Sequence, residues 1–94
     1  MRNREGLTVW TVTTIQGETV EAWPVSTSAE EAFGVAVFAL RELLGEKWIM
    51  RPPVLLSEEN AEKWKLTGEP TVHGYPDIQP VEAYILRTSI SEEV

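Results

Sequence analysis

The fold follows from the segment Leu7-Thr-Val-Trp-Thr-Val-Thr-Thr-Ile-Gln-Gly-Glu-Thr-Val-Glu-Ala-Trp-Pro-Val25. Two runs rich in β-branched and aromatic residues flank Gln16-Gly17, and a glycine-containing turn between two such runs predicts a β-hairpin. Pro24 has no backbone N–H to donate to a neighbouring strand, so we expect the second strand at a sheet edge. The hairpin therefore begins the sheet.

A helix is predicted directly after the hairpin, from Ala29 to Leu44. Ser28, with Glu31 three residues later, matches a capping box at the helix start, and Gly45 is suited to end the helix. Apolar residues recur along it at three- and four-residue spacing: Phe33, Ala36, Val37, Leu40, Leu43 and Leu44. We expect this apolar face to cover the sheet.

The rest of the chain predicts two more strands and a second helix. A short strand over 47–50 ends at Arg51-Pro52-Pro53, because prolines interrupt regular structure. Ser57 and Gly68 match the cap and the stop of a short helix over 57–66. A proline- and glycine-rich loop over 68–80 then leads to a last strand over 81–88.

These elements predict a single α+β domain over residues 1–94, in the order β-β-α-β-α-β. The first helix is expected to pack on a mixed four-stranded sheet in which the last strand lies beside the first. This order of elements resembles the β-grasp, or ubiquitin-like, architecture, and the resemblance concerns the fold alone. An open-faced α+β sandwich is the alternative.

Composition excludes several chemical classes of site. The 94 residues contain no cysteine and one histidine, so disulfides, thiolate metal sites and multi-histidine metal sites are absent. No Gly-rich phosphate loop or calcium-loop spacing is present, and we expect neither a cofactor nor a metal. No apolar run approaches the roughly 18 to 20 residues that span a bilayer. The expectation is a soluble, cytoplasmic protein that does not bind membranes.

The net charge is −7, from 15 acidic and 8 basic side chains. Direct nucleic-acid binding is not expected, because affinity for the phosphate backbone comes from clustered Lys and Arg. The acidity has two interpretations. It either only confers solubility, or it mimics nucleic acid and occupies a basic groove on a nucleic-acid-handling protein.

Four tryptophans are many for a chain of this length, and the hairpin carries two of them. With Gln16-Gly17 as a two-residue loop, Trp10 lies opposite Trp23. The other hairpin face is more aliphatic and matches the helix better, which predicts that one exposed sheet face binds a partner through Trp10, Val12, Glu21, Trp23 and Val25. The alternative is a different register that places the tryptophans in the core.

The first helix offers a second surface. A core stripe around Phe33, Val37, Leu40 and Leu44 leaves Val35 and Phe38 on the far side of the helix, together with Glu31 and Glu42. A helix that is apolar nearly all round packs on two sides. The second layer is either the rest of this chain or a partner.

One loop combines chemically active side chains: His73, Tyr75 and Asp77 lie within five residues. They either perform acid–base chemistry or bind a ligand, or they form a turn in which the side chains satisfy local backbone groups. We favour the turn, because no partner elsewhere in the chain is implied.

The sequence thus predicts a non-catalytic protein-binding module whose partner is another protein or a second copy of the chain. The first alternative is an acidic inhibitor that binds a nucleic-acid-handling protein, of the kind that mobile elements encode. The second alternative is a small enzyme or ligand-binding domain that uses the loop at 73–77.

Overall fold

The computed structural model describes residues 7–45, 48–57, 62–71 and 79–90. Within these ranges the chain has one helix and six strands, and all strand pairings are antiparallel. In chain order the elements are β1 (Leu7–Gln16), β2 (Thr19–Ser26), α1 (Ala29–Leu44), β3 (Trp48–Met50), β4 (Val54–Ser57), β5 (Lys63–Pro70) and β6 (Val81–Ile90). The sheet order is β2-β1-β6-β5-β3, and β4 also pairs with β5. The fold is therefore α+β, with one helix on a six-stranded sheet.

The predicted hairpin is confirmed, but its register differs by two residues from the predicted one. Gln16 pairs with Thr19, so Gly17 and Glu18 form the turn, and Trp23 lies opposite Val12 instead of Trp10. Gly17 has a φ of 61°, whereas Glu18 does not have a positive φ. A positive φ at the first central residue alone is typical of a type II′ turn, which requires glycine at that first position. Because Gly17 occupies this first position, the turn is Gly17-Glu18 instead of the predicted Gln16-Gly17.

A bulge ends the regular pairing of the hairpin. Val12 pairs with Trp23 and Trp10 with Ser26, so β2 has one residue more than β1 between these pairs. The extra length is Pro24-Val25, which lies opposite Thr11. A bulge that contains a proline without an N–H fits an edge strand, and β2 does lie at the sheet edge, as predicted.

The predicted bounds of α1 are confirmed, and so are its caps. The Ser28 hydroxyl accepts a hydrogen bond of 3.2 Å from the Glu31 N–H, and the Glu31 carboxylate accepts one of 3.3 Å from the Thr27 N–H. At the other end Gly45, with a φ of 83°, donates its N–H to the Arg41 carbonyl at 2.8 Å. The Ser28 and Gly45 bonds satisfy backbone groups of the first and last helical turns, and the Glu31 bond satisfies the Thr27 N–H just before the helix.

The core lies between α1 and the sheet face that carries Trp10 and Val12. Both side chains are buried, at 6% and 1% exposure. The expectation that the aliphatic hairpin face lies under the helix is therefore wrong. The helix presents fully buried alanines to the sheet, at positions 32, 36 and 39. Small residues on the helix leave room for large sheet residues, because protein interiors are filled to a nearly constant density.

One row of side chains across the sheet shows this complementarity. Trp23, Val12, Ile85 and Trp64 occupy neighbouring positions on β2, β1, β6 and β5. The helix adds an aromatic ring at each end of the row: Phe38 packs against Trp23, and Phe33 lies 5.5 Å from Trp64 between ring centroids.

The predicted second helix over 57–66 is wrong, because Lys63–Pro70 forms strand β5 and Ser57 belongs to β4. The sequence Lys-Trp-Lys-Leu-Thr-Gly alternates between the two sheet faces. Leu66 and Gly68 are buried, and Trp64 packs against the core. Two-residue alternation is the period of a strand, and burial under α1 prevails over the helix caps.

The mixed four-stranded sheet and the β-grasp order are also not observed. The short strand β3 is where it was predicted, and β6 lies beside β1 as expected. However, β3 and β4 occupy the same outer side of β5, where they pair with its two ends. They are separated by Arg51-Pro52-Pro53, and the two prolines cannot donate hydrogen bonds to β5. The architecture is the open-faced sandwich that was the alternative.

No helix within the described ranges has the length and apolar character needed to cross a membrane.

Candidate functional site

The predicted partner-binding residues lie in three environments. Trp10 and Val12 are core residues beneath α1, so they are not part of a surface. Trp23 and Val35 are half-buried and pack against the edge of this core. Val25, Glu21 and Phe38 are exposed. The expectation of an exposed Trp10/Trp23 pair is therefore wrong.

Trp23 and Phe38 meet at the edge of the sheet. Their ring centroids are 6.4 Å apart and the ring planes are inclined at 84°, which is the edge-to-face arrangement that aromatic rings prefer. The Trp23 indole Nε1 donates a hydrogen bond of 2.8 Å to the Thr14 hydroxyl. The sheet surface and the helix surface that the sequence suggested separately are thus one surface.

Phe38 remains 54% exposed despite this contact. It lies on a helix stripe with Glu31, Val35 and Glu42, because residues three and four apart are neighbours on a helix surface. Glu21 lies two residues before Trp23 on β2, so the two side chains point to the same sheet face. We name the set Glu21, Trp23, Glu31, Val35, Phe38 and Glu42 the β2–α1 patch.

The β2–α1 patch belongs to an acidic part of the molecule. Residues 17–45 contain five glutamates and one arginine, a net charge of −4. The other described ranges contain four basic residues and three glutamates, a net charge of +1. Three ion pairs join described residues, and all lie outside 17–45: Arg51 with Glu69 at 2.7 Å, Lys65 with Glu82 at 3.8 Å, and Arg87 with Glu62 at 3.6 Å. Within the described chain, the patch glutamates are not neutralised by ion pairs.

The shortest of these ion pairs, between Arg51 and Glu69, shifts the pKa of both residues. The Arg51 guanidinium donates hydrogen bonds to both carboxylate oxygens of Glu69, at 2.7 and 3.3 Å. The hydrogen bonding lowers the pKa of Glu69 and raises that of Arg51. The Arg51 side chain is exposed and the Glu69 side chain is about one-third exposed, so the pair lies at the rim of the sheet.

A second surface is the sheet face opposite α1, which we name the open face. It holds a shallow groove of about 400 Å³ lined by Thr11, Thr13, Ile15, Lys63, Tyr84 and Leu86. The Lys63 ammonium lies 5.5 Å from the centroid of the Tyr84 ring, within the range of a cation–π contact. The sequence did not suggest this groove, because β5 was assigned to a helix. The two-residue alternation of Lys63 and Lys65 with Trp64 and Leu66 is the sequence pattern that indicates a strand here.

Tyr84 titrates abnormally in this groove. Its hydroxyl donates a hydrogen bond of 3.3 Å to the Glu82 carboxylate. Burial raises the pKa of Tyr84, and the nearby charge of Glu82 and this hydrogen bond raise it further. A phenol with a raised pKa stays protonated at neutral pH, so the groove offers a hydrogen-bonding ring and not a base.

A third feature is the apolar edge formed by β3 and β4. Five large aliphatic side chains are exposed there: Ile49, Met50, Val54, Leu55 and Leu56. The prolines between β3 and β4 and a register shift near Ser57 interrupt the outer backbone. Such interruptions hinder the addition of another strand to an edge.

The loop residues His73, Tyr75 and Asp77 lie outside the described residues, so their role as a turn or as a site stays a prediction. Within residues 7–45, 48–57, 62–71 and 79–90, no group of three or more acidic or histidine side chains is placed to hold a metal ion.

Comparison of the chain with known proteins found no matching family model, no matching curated protein and no matching solved structure.

Proposed function

We propose that this chain is a non-catalytic protein-binding domain and that the β2–α1 patch is its contact surface. The observation that carries the proposal is the exposed ring of Phe38, which is held against Trp23. Trp23 is in turn fixed by its hydrogen bond to the buried Thr14. A side chain that is already ordered loses little entropy on binding, so its burial contributes more to affinity.

The composition of the patch resembles that of protein interfaces. Aromatic residues supply a large share of binding energy when they lie at the centre of a contact and are surrounded by polar groups. Here Trp23 and Phe38 form the apolar centre, and Glu21, Glu31 and Glu42 form an exposed polar rim. The patch therefore fits a partner that has an apolar pocket surrounded by Lys and Arg side chains.

The acidic rim is expected to affect the rate of association more than the final affinity. Complementary charges steer diffusing partners together, and salt screens this effect. We expect the substitutions Glu21→Gln, Glu31→Gln and Glu42→Gln together to slow association at low salt and to weaken its salt dependence. The apolar contact of Phe38 should be nearly independent of salt.

The second candidate function is inhibition of a nucleic-acid-handling protein. The segregation of charge supports it, because residues 17–45 carry −4 while the other described ranges carry +1. For this function, the triple glutamine variant loses nearly all binding, and single-stranded or duplex DNA competes with the chain for its partner. For the aromatic contact proposed first, DNA does not compete.

Capture from an extract of the source cells tests the proposed surface. The wild-type chain, Phe38→Ala and Ile49→Ala serve as immobilised baits, because Phe38 and Ile49 have similar exposures of 54% and 49% and lie on different elements. We expect one protein to be retained by wild type and by Ile49→Ala but not by Phe38→Ala. Equal retention by all three baits would contradict the assignment of the patch.

A further inference from the structure

The open face of the sheet combines apolar side chains with a small net charge. The register places Val20 of β2, Ile15 of β1, Leu86 of β6 and Val54 of β4 on this face. All except the half-buried Ile15 are large exposed hydrophobic residues. No described element packs on this side, since α1 lies on the other one. A sheet face that carries apolar side chains across its whole width is suited to packing against a second layer.

The charges of the open face differ from those of the whole chain. Lys63, Lys65 and Glu69 of β5 and Glu82 of β6 lie at positions that point away from α1. Lys65 pairs with Glu82, and Glu69 pairs with Arg51. These four side chains and Arg51 sum to +1, whereas the chain carries −7. Two copies of this acidic chain repel each other through their net charges. The described side chains of the open face add no net negative charge to that repulsion.

The size of the open face is close to that required for a stable dimer. Five strand positions about 4.8 Å apart, with eight residues of roughly 3.3 Å rise each, give about 500 Å² in plan. Protruding side chains make the accessible area larger than the plan area. A standard interface buries roughly 800 Å² per partner. With its protruding side chains, the open face therefore approaches the area that one partner buries in a standard interface.

We infer that two copies of this chain pack through their open faces as a homodimer. The two sheets then lie about 10 Å apart, as in other face-to-face sheet packings. Leu86 and Tyr84 are buried in the interface, and the groove between them is filled by side chains of the second copy. Helix α1 and its glutamates lie on the outer side of each copy, and both β2–α1 patches stay exposed there. This inference does not depend on the partner proposed above.

Sedimentation equilibrium of Leu86→Lys tests the inference. Leu86 is 36% exposed and lies beside Lys63, so an added lysine places like charges in the centre of the proposed interface. The substitution also changes the net charge from −7 to −6, which reduces the overall repulsion between copies. Loss of the dimer would therefore have a local cause.

Val37→Lys is the matched control, because Val37 is 37% exposed and lies on α1. At a chain concentration of about 100 µM, which detects even a weak complex, we expect wild type and Val37→Lys to sediment as dimers and Leu86→Lys as a monomer. Circular dichroism checks that each variant is folded. If Leu86→Lys does not fold, Thr13→Arg on the neighbouring strand replaces it, with the same expected loss.

Two outcomes would overturn the inference. One is a wild-type chain that remains monomeric at this concentration. The other is a folded open-face variant that dimerises as well as Val37→Lys, which would place the contact elsewhere.

Discussion

The indole Nε1 of Trp23 donates a hydrogen bond of 2.8 Å to the hydroxyl of Thr14, which is itself 1% exposed. The bond ties the edge strand β2 to the buried part of β1. Thr14→Val keeps the shape of the side chain but removes the acceptor, so we expect a loss of about 1 kcal/mol in the free energy of unfolding. Thr14→Ser retains the hydroxyl and should preserve most of this stability. Urea denaturation of both variants measures the difference, and equal losses would show that the hydroxyl is not used.

The burial of Trp10 predicts an order of stabilities. Trp10→Ala empties a core position and should lower the free energy of unfolding by about 3 to 5 kcal/mol. Phe38→Ala removes a half-exposed ring and should lower it by only about 1 kcal/mol. Urea denaturation gives both values. The reverse order would mean that α1 covers the other face of the sheet.

Replacing Gly68 and Gly34 by alanine should change the stability of the chain in opposite directions. A Cβ at Gly68 would lie 2.7 Å from Leu44 Cδ1, and close to Trp48 and Leu40, so Gly68→Ala should destabilise the chain by about 1 to 3 kcal/mol. A Cβ at Gly34, within α1, meets no atom within 4 Å. Gly34→Ala should therefore stabilise the chain by roughly 0.5 to 1 kcal/mol, because alanine loses less entropy in a helix. Thermal melts followed by circular dichroism test both signs.

The pKa of Tyr84 predicts how stability changes at high pH. Because the folded chain raises this pKa above its ordinary value of 10.0, folding favours the protonated phenol. The resulting stability is fully present below pH 10 and is lost as the pH rises through the higher pKa of the folded state. Tyr75→Phe leaves Tyr84 as the single tyrosine, so the absorbance of tyrosinate reports its titration directly.

In that background, Glu82→Gln should lower the pKa of Tyr84 because it removes the nearby negative charge. Burial is the larger cause of the shift, so the pKa should stay above 10.0. Titration of Tyr84 at or below this value in the Tyr75→Phe chain would show that the phenol is not buried as described.

Local sequence signals were sufficient for α1 and for the existence of the hairpin. Ser28, Glu31 and Gly45 act at the helix ends, and their hydrogen bonds involve only nearby backbone groups. The hairpin register was predicted less well, because Gly17 can occupy either central position of a two-residue turn. The backbone φ values distinguish these positions, and the sequence does not contain them.

Long-range packing decided the parts that the sequence did not predict correctly. Ser57 and Gly68 match helix caps, but Leu66 and Trp64 pack in the core beneath α1 as strand residues. Burial of two large side chains stabilises the fold by more than a helix cap does. The face of the hairpin that α1 covers depends on the size of facing residues. Trp10 and the buried helix residues Ala32 and Ala36 belong to one core, and this complementarity appears only once the two elements are placed together.

The most direct test of the proposed function is calorimetric titration of the captured partner, once purified, into wild type, Phe38→Ala and Ile49→Ala. We expect Phe38→Ala to weaken binding by about 2 kcal/mol or more, which is roughly thirtyfold in the dissociation constant. Ile49→Ala should bind as wild type does, because its side chain lies on β3, outside the β2–α1 patch. Melting curves confirm that all three chains are folded at the temperature used. A folded Phe38→Ala that binds the partner as tightly as wild type would contradict the account.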